Sequence, residues 1–300
     1  MSASVDWSGE APAKVNLRLE VLAHEASGYH QIETVFQALT LADRIELTLR
    51  NDAEVTLDLG GVPPDVLGPP ERNLAVRAAE AFRAALDAMD FQCPGVQIAL
   101  EKEVPHGAGL GGGSSDAAAV LRGLNHLLNG PLSVSDMMRL GAELGSDVPF
   151  FVSGAVRALA WGRGDRILPL SPLHVREVLL VVPPEPILTE WAYGVFAAHR
   201  KSRGTPSALG VLHSSEAGAG WSEVESHARN DLEEALFPLR PDLIRVKAAL
   251  EKAGARPALL SGSGSTVFGV FETEQVVAVA EAEILKQIPG VGTLRTRTRG

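Results

Sequence analysis

The sequence predicts an α+β fold divided into two domains, on three observations. The chain has 300 residues, which is enough for two domains at about 100–200 residues each. Apolar residues with the two-residue period of strands alternate along the chain with stretches of helical period. The segment Ser171–Arg176 is a candidate boundary within this mixed order. We therefore predict an N-terminal domain over residues 1–172 and a smaller C-terminal domain over residues 173–300.

Bulk composition narrows the class of protein. The chain is 45% hydrophobic and 21% charged, as expected of a folded globular protein. Its one cysteine, Cys93, excludes an internal disulfide and fits a reducing compartment. The first residues include Asp6 and Glu10 without an apolar core, so no signal peptide is predicted. No apolar stretch is long enough to cross a bilayer. These features predict a cytoplasmic protein without a membrane partner.

The net charge of −10 argues against a nucleic-acid partner, because such surfaces are usually basic. The negative net charge does not exclude an anionic small ligand, because the backbone N–H groups of a single loop can bind an anion in a protein of negative net charge. No protein partner is predicted.

The N-terminal half begins with a predicted half-buried strand. Apolar residues from Val15 to Val21 alternate with polar ones, which places Lys14 and Asn16 together on the polar face. Further alternating runs predict strands, which we expect to be antiparallel, at Arg44–Leu49, Glu54–Leu59 and Val96–Glu101. Helices are predicted at Asn73–Met89, capped by Asn73, at Ser114–Leu128, and at Val134–Leu144, capped by Ser133. Two short strands follow at Ala155–Trp161 and Arg166–Leu170.

The C-terminal part mixes strands and helices in an order that fits an α+β domain. Strands are predicted at Glu177–Val182 and Thr293–Arg299, with a strand, glycine turn and strand over Ala258–Phe271. Helices are predicted at Thr189–Arg200, Pro241–Ala253 and Glu274–Gln287, and Lys201–Gly220 is predicted to be a loop. Arg295, Arg297 and Arg299 are interpreted as protecting a sheet edge. Ser261–Ser265 is either a tight hairpin turn or a second loop that faces the substrate, and we favour the loop that faces the substrate.

The most informative segment is Pro105–Ala119, with the sequence PHGAGLGGGSSDAAA. Five of the seven residues from Gly107 to Gly113 are glycine, and glycine loses more conformational entropy on folding than any other residue. Such a segment is useful where a backbone wraps closely around a ligand. Ser114, Ser115 and Asp116 then open a helix, whose free N–H groups and positive dipole end suit a phosphate.

Three interpretations of this loop compete. The first is a structural turn, which rarely needs five glycines. The second is a dinucleotide site, since Gly107, Gly109 and Gly112 satisfy G-x-G-x-x-G. However, the preceding strand alternates, whereas strands in dinucleotide folds are buried on both faces. The third is a nucleoside-triphosphate loop without the Gly-Lys-Ser/Thr of a Walker motif, and we favour it.

Several motifs together resemble the GHMP kinases. The segment PHGAGLGGGSSDAAAVL is similar to the loop that wraps the ATP phosphates in that superfamily. Supporting similarity lies in APAKVNLRLEVL, GYHQIETVFQAL, GSDVPFFVSGAVRALAWGRGD and LLSGSGSTVFGVF. The resemblance covers most of the chain and is weakest over Asn51–Pro70 and Lys201–Val224. Arg157 and Trp161 are bulkier than the residues that the family usually carries before its GRG turn.

The resemblance implies a two-domain GHMP kinase fold with an N-terminal ATP-binding domain, a smaller C-terminal α/β domain and an active site in the cleft between them. It implies Mg-ATP as the phosphate donor. The implied acceptor is a small molecule, a cytidine diphosphate-linked methylerythritol, phosphorylated at its 2-hydroxyl. The ATP-binding residues implied are Pro105, His106, Gly107, Ala108, Gly109, Leu110, Gly111, Gly112, Gly113, Ser114, Ser115 and Asp116.

The resemblance also assigns the catalytic pair to Lys14 and Asp147. The acceptor contacts that it implies are Asn16, Tyr29, His30, Thr189 and Tyr193. Taken alone, Asp147 reads as turn chemistry and Lys14 as a solvated or edge residue. As a pair, a carboxylate would accept the hydroxyl proton while a cation keeps it ionised. The two tyrosines are the only ones in the chain, and their rings suit stacking on a pyrimidine.

No cluster of protein metal ligands is predicted. Mg²⁺ is expected to accompany ATP, near Ser115, and Asp116 is equally consistent with a magnesium ligand and with a helix cap. Rival functions are a GHMP kinase with another acceptor, a nicotinamide-dependent oxidoreductase and a nucleotide-binding regulator.

Overall fold

A computed structural model describes residues 5–25, 30–63, 67–203 and 220–300. The chain forms two compact units, each assembled from separate stretches. The first unit comprises Met1–Ala13, Leu41–His106 and Gly111–Ala155. The second comprises Lys14–Thr40, Gly107–Leu110 and Val156–Gly300. The domain boundaries 1–172 and 173–300 stay a prediction.

The strands of the first unit mix directions. They include parts of two long strands, β1 (Trp7–His24) and β2 (His30–Arg50), together with β3 (Val55–Gly60) and β4 (Gly95–Glu101). The end of β2 pairs with β4 in antiparallel register, as predicted. β3 pairs with β4 in parallel register, so the antiparallel prediction is wrong there. A helix joins these two strands, and a helical crossover returns the chain in the same direction.

Helices cover this part of the first unit. They are α1 (Leu74–Asp87), α2 (Gly112–Leu127), α3 (Val134–Leu144) and α4 (Val148–Ser153), with a 3-10 turn at Pro70–Arg72. α1 packs on β3, β4 and α2. The predicted caps are confirmed, because Asn73 accepts from the N–H of Ala75 and Ser133 forms a capping box with Asp136.

Two predictions for this unit need correction. α2 begins at Gly112, two residues before the predicted start at Ser114. The residues after Asp147, expected only to form a turn, enter the short helix α4. Pro149 favours a helix start because its fixed φ suits the first turn. The apolar residues of α4 are buried, which stabilises a helix too short to persist alone.

The second unit contains a β-ribbon and a separate antiparallel sheet. β2 pairs with β5 (Arg157–Gly162), β5 pairs with β6 (Arg166–Pro169), and β8 (Arg229–Asn230) runs parallel to β1. The sheet has the order β11-β7-β10-β9, formed by β7 (Glu177–Val182), β9 (Ala258–Leu260), β10 (Val267–Phe271) and β11 (Gly292–Arg297). β11 lies at one edge of this sheet, as the arginines of that strand predicted.

The helices of the second unit are α5 (Thr189–Arg203), α6 (Trp221–His227), α7 (Leu232–Leu236), α8 (Pro241–Lys252) and α9 (Glu274–Gln287). α8 and α9 pack on the four-stranded sheet. Their contact is apolar, with Val246, Leu250, Val277 and Ile284 fully or almost fully buried. Lys201–Arg203 of the predicted loop extend α5, and 204–219 lie outside the described residues.

The prediction that β1 is half-buried is wrong. Residues on both of its faces are buried, including Lys14 at 3% exposure and Asn16 at 2%. Alternation in sequence shows which residues share a face, but it cannot show that the polar face is covered as well. Of the helices within the described ranges, none is both long and apolar enough to span a bilayer.

Candidate active site

The glycine loop adopts backbone conformations that only glycine tolerates well. Gly107, Gly109 and Gly111 have φ angles of +66°, +78° and +74°, in the left-handed region. A Cβ added to Gly109 would lie 2.1 Å from the carbonyl oxygen of Ser261. One added to Gly112 would lie 3.1 Å from Cγ1 of Val104. The glycines are therefore required by the backbone conformation and by close packing.

The start of α2 presents polar groups without partners. Its N-cap is Gly111, so no side chain caps the first N–H groups. Ser115 and Asp116 lie within the first turns and are 1% and 2% exposed. Among the described residues, neither the Ser115 hydroxyl nor Oδ1 of Asp116 has a hydrogen-bond partner. Because Asp116 follows the first turn, the interpretation of it as a helix cap is wrong.

These buried oxygens fit a hard cation. Unsatisfied buried polar groups are rare in proteins, and Mg²⁺ prefers oxygen ligands while keeping several waters. The uncapped N–H groups at the start of the helix suit a phosphate, because they are hydrogen-bond donors without an acceptor inside the helix. Within the described part of the chain, this site included, no group of three or more His, Cys, Asp or Glu side chains could hold a metal ion.

A buried charge cluster that the sequence did not predict supports this helix start. Lys102 Nζ donates to Asp43 and, at 2.8 Å, to Oδ2 of Asp116. Asp43 also accepts backbone N–H groups of Glu103 and Val104, at 2.6 and 2.8 Å. The cluster thereby ties the segment before the glycine loop to the helix after it. Asp43 and Lys102 are 59 residues apart in sequence, and neither belongs to a recognisable motif.

The cluster holds two carboxylates and one ammonium group. Burial, opposed by Lys102 and reinforced by Asp43, raises the pKa of Asp116 to about 7. Burial lowers the pKa of Lys102, but the two carboxylates outweigh it and the net shift is upward. Burial and the charge of Lys102 both lower the pKa of His106. Asp43 accepts two further hydrogen bonds from backbone N–H groups, whereas Oδ1 of Asp116 has no hydrogen-bond partner among the described residues.

Lys14 lies at the centre of a second polar cluster, within the second unit. Its Nζ donates to Oδ1 of Asn16 at 2.9 Å and to the carbonyl of Gly109 at 3.1 Å. It also lies 5.3 Å from the ring centroid of Phe36. The amide of Asn16 in turn donates to the Thr34 hydroxyl at 2.7 Å. The interpretation of Lys14 as a solvated or edge residue is therefore wrong.

The loop Ser261–Thr266 joins β9 to β10. The N–H of Ser261 donates to the carbonyl of Thr266 at 2.9 Å, so the segment connects the two strands of a hairpin. The favoured interpretation, a loop that faces the substrate, stays a prediction. The Ser261 hydroxyl donates to the carbonyl of Gly109 at 2.9 Å, and the N–H of Thr266 donates to that of Ala108. The hairpin therefore packs directly on the glycine loop.

The predicted acceptor contacts are brought together in pairs. The rings of His30 and Tyr193 lie 5.0 Å apart between centroids. The hydroxyl of Thr189 lies 2.9 Å from that of Ser263. Asn16 lies in the Lys14 cluster, and Tyr29 is outside the described residues.

Asp147 lies in the first unit, half-buried, immediately before α4. Its carboxylate makes no side-chain cap to that helix. The turn before it is closed by the backbone, through the N–H of Val148 and the carbonyl of Gly145 at 3.1 Å. Pairing of Lys14 with Asp147 stays a prediction.

The bulky residue before the GRG turn is not on the surface. Arg157 is fully buried, and its Nη1 donates to the carbonyl of Ser171 at 3.1 Å. Burial lowers its pKa, against a smaller opposing effect of Glu223. This side chain therefore contributes to the interior of the second unit.

Two family models match the chain. The model described as GHMP kinases N terminal domain matches residues 73–155, and the one described as GHMP kinases C terminal matches residues 217–289. The 4-diphosphocytidyl-2-C-methyl-D-erythritol kinase of Shouchella clausii (strain KSM-K16) is 38% identical over 90% of this chain and 88% of its own length. That of Citrifermentans bemidjiense is 41% identical, over 92% and 93%.

Solved structures show the same similarity to GHMP kinases. A crystal structure of 4-(cytidine 5'-diphospho)-2C-methyl-D-erythritol kinase matches with a TM-score of 0.76 and 32% identity, over 98% of this chain and 100% of that one. The mevalonate kinase of Methanococcus jannaschii has a TM-score of 0.71 at 16% identity, covering 100% of both chains, and so shares the fold.

The predicted α+β GHMP fold and the predicted phosphotransferase class are thereby confirmed, and the oxidoreductase alternative is excluded. The identities, the coverage and the two matched domains lead to one assignment: the chain belongs to the 4-diphosphocytidyl-2-C-methyl-D-erythritol kinase family of the GHMP kinases.

Proposed function

We propose that this enzyme transfers the γ-phosphate of ATP to the 2-hydroxyl of 4-diphosphocytidyl-2-C-methyl-D-erythritol, a step of the non-mevalonate route to isoprenoid precursors. Asp147 acts as the general base and Lys14 assists it. The observation that carries the proposal is the buried ammonium group of Lys14, bound to the carbonyl of Gly109 in the glycine loop. Family membership supplies the acceptor.

The donor binds at residues 105–116 in this proposal. The uncapped first turn of α2 offers backbone N–H groups to the phosphates. The left-handed glycines let the backbone approach them closely. Ser115, with Asp116 beside it, offers the oxygens for Mg²⁺. When bound, that ion neutralises charge on the phosphate oxygens.

The acceptor hydroxyl loses its proton to Asp147. Lys14 faces the transferring phosphoryl group and stabilises its negative charge, and a nearby cation also keeps a carboxylate ionised. The hydrogen bonds from Lys14 to Asn16 and Gly109 hold the ammonium group in place before substrates bind. Such preorganisation matters because phosphoryl transfer depends mainly on positioning and electrostatics.

The cytidine group is held by Tyr29, His30, Thr189, Tyr193 and Asn16. The His30 and Tyr193 rings, 5.0 Å apart, offer an aromatic surface for the base and ring nitrogens for its polar edge. Binding of this remote group helps to position the reacting hydroxyl.

The test is an ADP-release assay with the cytidyl substrate, free methylerythritol and the acceptors of other GHMP kinases. We expect useful kcat/KM only with the cytidyl substrate, because the others lack the remote binding group. Asp147→Asn should then lose about 10²–10⁴-fold in kcat with both substrates still binding. Equal kcat/KM for free methylerythritol would contradict the acceptor, and near-normal kcat in Asp147→Asn would contradict the base.

A further inference from the structure

The side chain of Asn230 on β8 uses all of its hydrogen-bonding groups inside the second unit. Its Nδ2 donates to the carbonyls of Leu260 and Gly262, each at 2.8 Å. Its Oδ1 accepts the N–H of Leu232 at 3.0 Å. The side chain is only 5% exposed. The two carbonyls flank Ser261, so this one amide fixes the backbone on both sides of that serine.

The residues beside Asn230 anchor it. Asp231 accepts the N–H of Val21 at 3.0 Å and donates its own N–H to the carbonyl of Leu19 at 2.9 Å. Glu233 accepts the N–H of Leu260 at 2.7 Å and binds Lys247 at 2.5 Å. The segment Asn230–Glu233 therefore joins β1, which carries Lys14, to the start of the loop Ser261–Thr266.

Ser261 connects this anchored segment to the glycine loop. Its hydroxyl donates to the carbonyl of Gly109, and the same carbonyl accepts from Lys14 Nζ. Gly262 follows with a φ of +56°, and a Cβ there would lie 3.2 Å from Lys14 Nζ. A small rotation of the Ser261 peptide would therefore move both an acceptor of Lys14 and the backbone packed against it.

We propose that Asn230 is a positioning residue for phosphoryl transfer, which acts by holding Ser261–Thr266 against Gly109 and Lys14. The inference rests on the proposed function, in which Lys14 serves the reacting phosphate. Removing the amide leaves the buried carbonyl of Leu260 and the partly buried carbonyl of Gly262 without this donor, and such groups reorient toward other donors. Because misplacement by about 1 Å can cost about 10²-fold in rate, the effect should appear in kcat.

The experiment compares Asn230→Ala with Asn125→Ala. Asn125 is a matched control, because its amide also joins two segments, donating to the carbonyl of Leu132 at 3.0 Å and accepting its N–H at 2.9 Å. We expect Asn230→Ala to lose about 10–100-fold in kcat with nearly unchanged KM for both substrates. Asn125→Ala should lose a similar amount of stability and keep its kcat. Circular dichroism and urea unfolding report folding and stability.

Measuring Asn230→Ala in a Lys14→Met variant distinguishes an effect of Asn230 on the position of Lys14 from a general loss of structure. If Asn230 acts through Lys14, adding Asn230→Ala to Lys14→Met should cost nothing further, since residues acting as a unit are non-additive. An equal further loss on that background overturns the inference alone, as does a kcat like that of Asn125→Ala. Full kcat in Lys14→Met overturns the proposed role of Lys14 and the inference together. Should Asn230→Ala not fold, Asn230→Asp keeps the shape and the acceptor for Leu232 and undergoes the same tests.

Discussion

Lys14 and Lys102 are both buried lysines, but they are held by different chemistry. Lys102 donates to two carboxylates, those of Asp43 and Asp116. The hydrogen bonds described for Lys14 go to an amide oxygen and a backbone carbonyl. Bound carboxylates neutralise an ammonium group, whereas amide and carbonyl dipoles orient it. Lys102 therefore stabilises the start of α2 through its ion pair with Asp116, whereas Lys14 is the lysine that the proposed function assigns to the reaction.

The largest expected effect is the loss of Lys102. Lys102→Met leaves two buried carboxylates without their cation, and breaking a buried ion pair costs about 3–5 kcal/mol. Lys14→Met removes the hydrogen bonds to the Asn16 amide oxygen and the Gly109 carbonyl, and losing hydrogen bonds of this kind costs about 1–3 kcal/mol of unfolding free energy. Urea unfolding of both variants measures the difference. Equal losses would mean that the two lysines do not divide the roles in this way.

The next effect concerns the carbonyl that binds Lys14. Gly109→Ala combines a left-handed φ, which costs about 1–2 kcal/mol, with a Cβ only 2.1 Å from the carbonyl oxygen of Ser261. Gly107→Ala is the matched control, because its φ is also positive but nothing lies within 4 Å of the added Cβ. We expect Gly109→Ala to lose more stability than Gly107→Ala, and to lose kcat as well. Similar unfolding free energies would contradict the close packing.

A pH-dependent effect follows from the Lys102 cluster. Asp116 has a folded pKa of about 7, raised from 3.8 chiefly by burial. Between these values the folded state keeps a proton that the unfolded state has released. The contribution of Asp116 to stability is therefore full below about pH 4 and is lost as pH rises toward 7.

Asp116→Asn removes this contribution. Its unfolding free energy should fall less steeply with rising pH than that of the wild type, by at most about 1.4 kcal/mol per pH unit. Urea unfolding from pH 4 to 8 tests this, with Asp136→Asn as the control, because Asp136 is a surface carboxylate bound to Ser133 and Arg139. Parallel curves for wild type and Asp116→Asn would mean that Asp116 is ionised throughout.

The smallest expected effect lies at the edge of the Lys14 cluster. The Thr34 hydroxyl accepts from Asn16 and donates to the carbonyl of Arg18 at 2.6 Å. Thr34→Val keeps the shape and removes both bonds, at a cost of about 1 kcal/mol each. We expect Thr34→Val to lose less kcat than Lys14→Met does. Some loss is expected because, without the Thr34 hydroxyl, Asn16 is less well oriented toward Lys14. Unchanged stability and kcat would show that Asn16 needs no support from Thr34.

Local features of the fold could be predicted because their causes are local. The capped helices at Asn73 and Ser133, the strand Glu177–Val182 and the helix Glu274–Gln287 follow from periodicity and from end signals within a few residues. The composition of the glycine loop predicted its unusual backbone, because five glycines in seven residues are expected mainly where the backbone must approach another group closely. Motif resemblance then predicted the family correctly, and the roles that it implies for Lys14, Asn16 and His30 stay predictions.

Long-range pairing could not be predicted in the same way. The sequence alone determined which residues share a face of β1, which segments form the main helices, and which segment is rich in glycine. Only the tertiary structure decided that both faces of β1 are buried, that β3 runs parallel to β4, and that Asn230 reaches the carbonyls on either side of Ser261. It also decided that Lys102 is neutralised by Asp43 and Asp116. The physical reason is the same in each case. The burial of a side chain and the charges around it depend on which distant segments of the chain pack together, and the local sequence around one residue does not specify that packing.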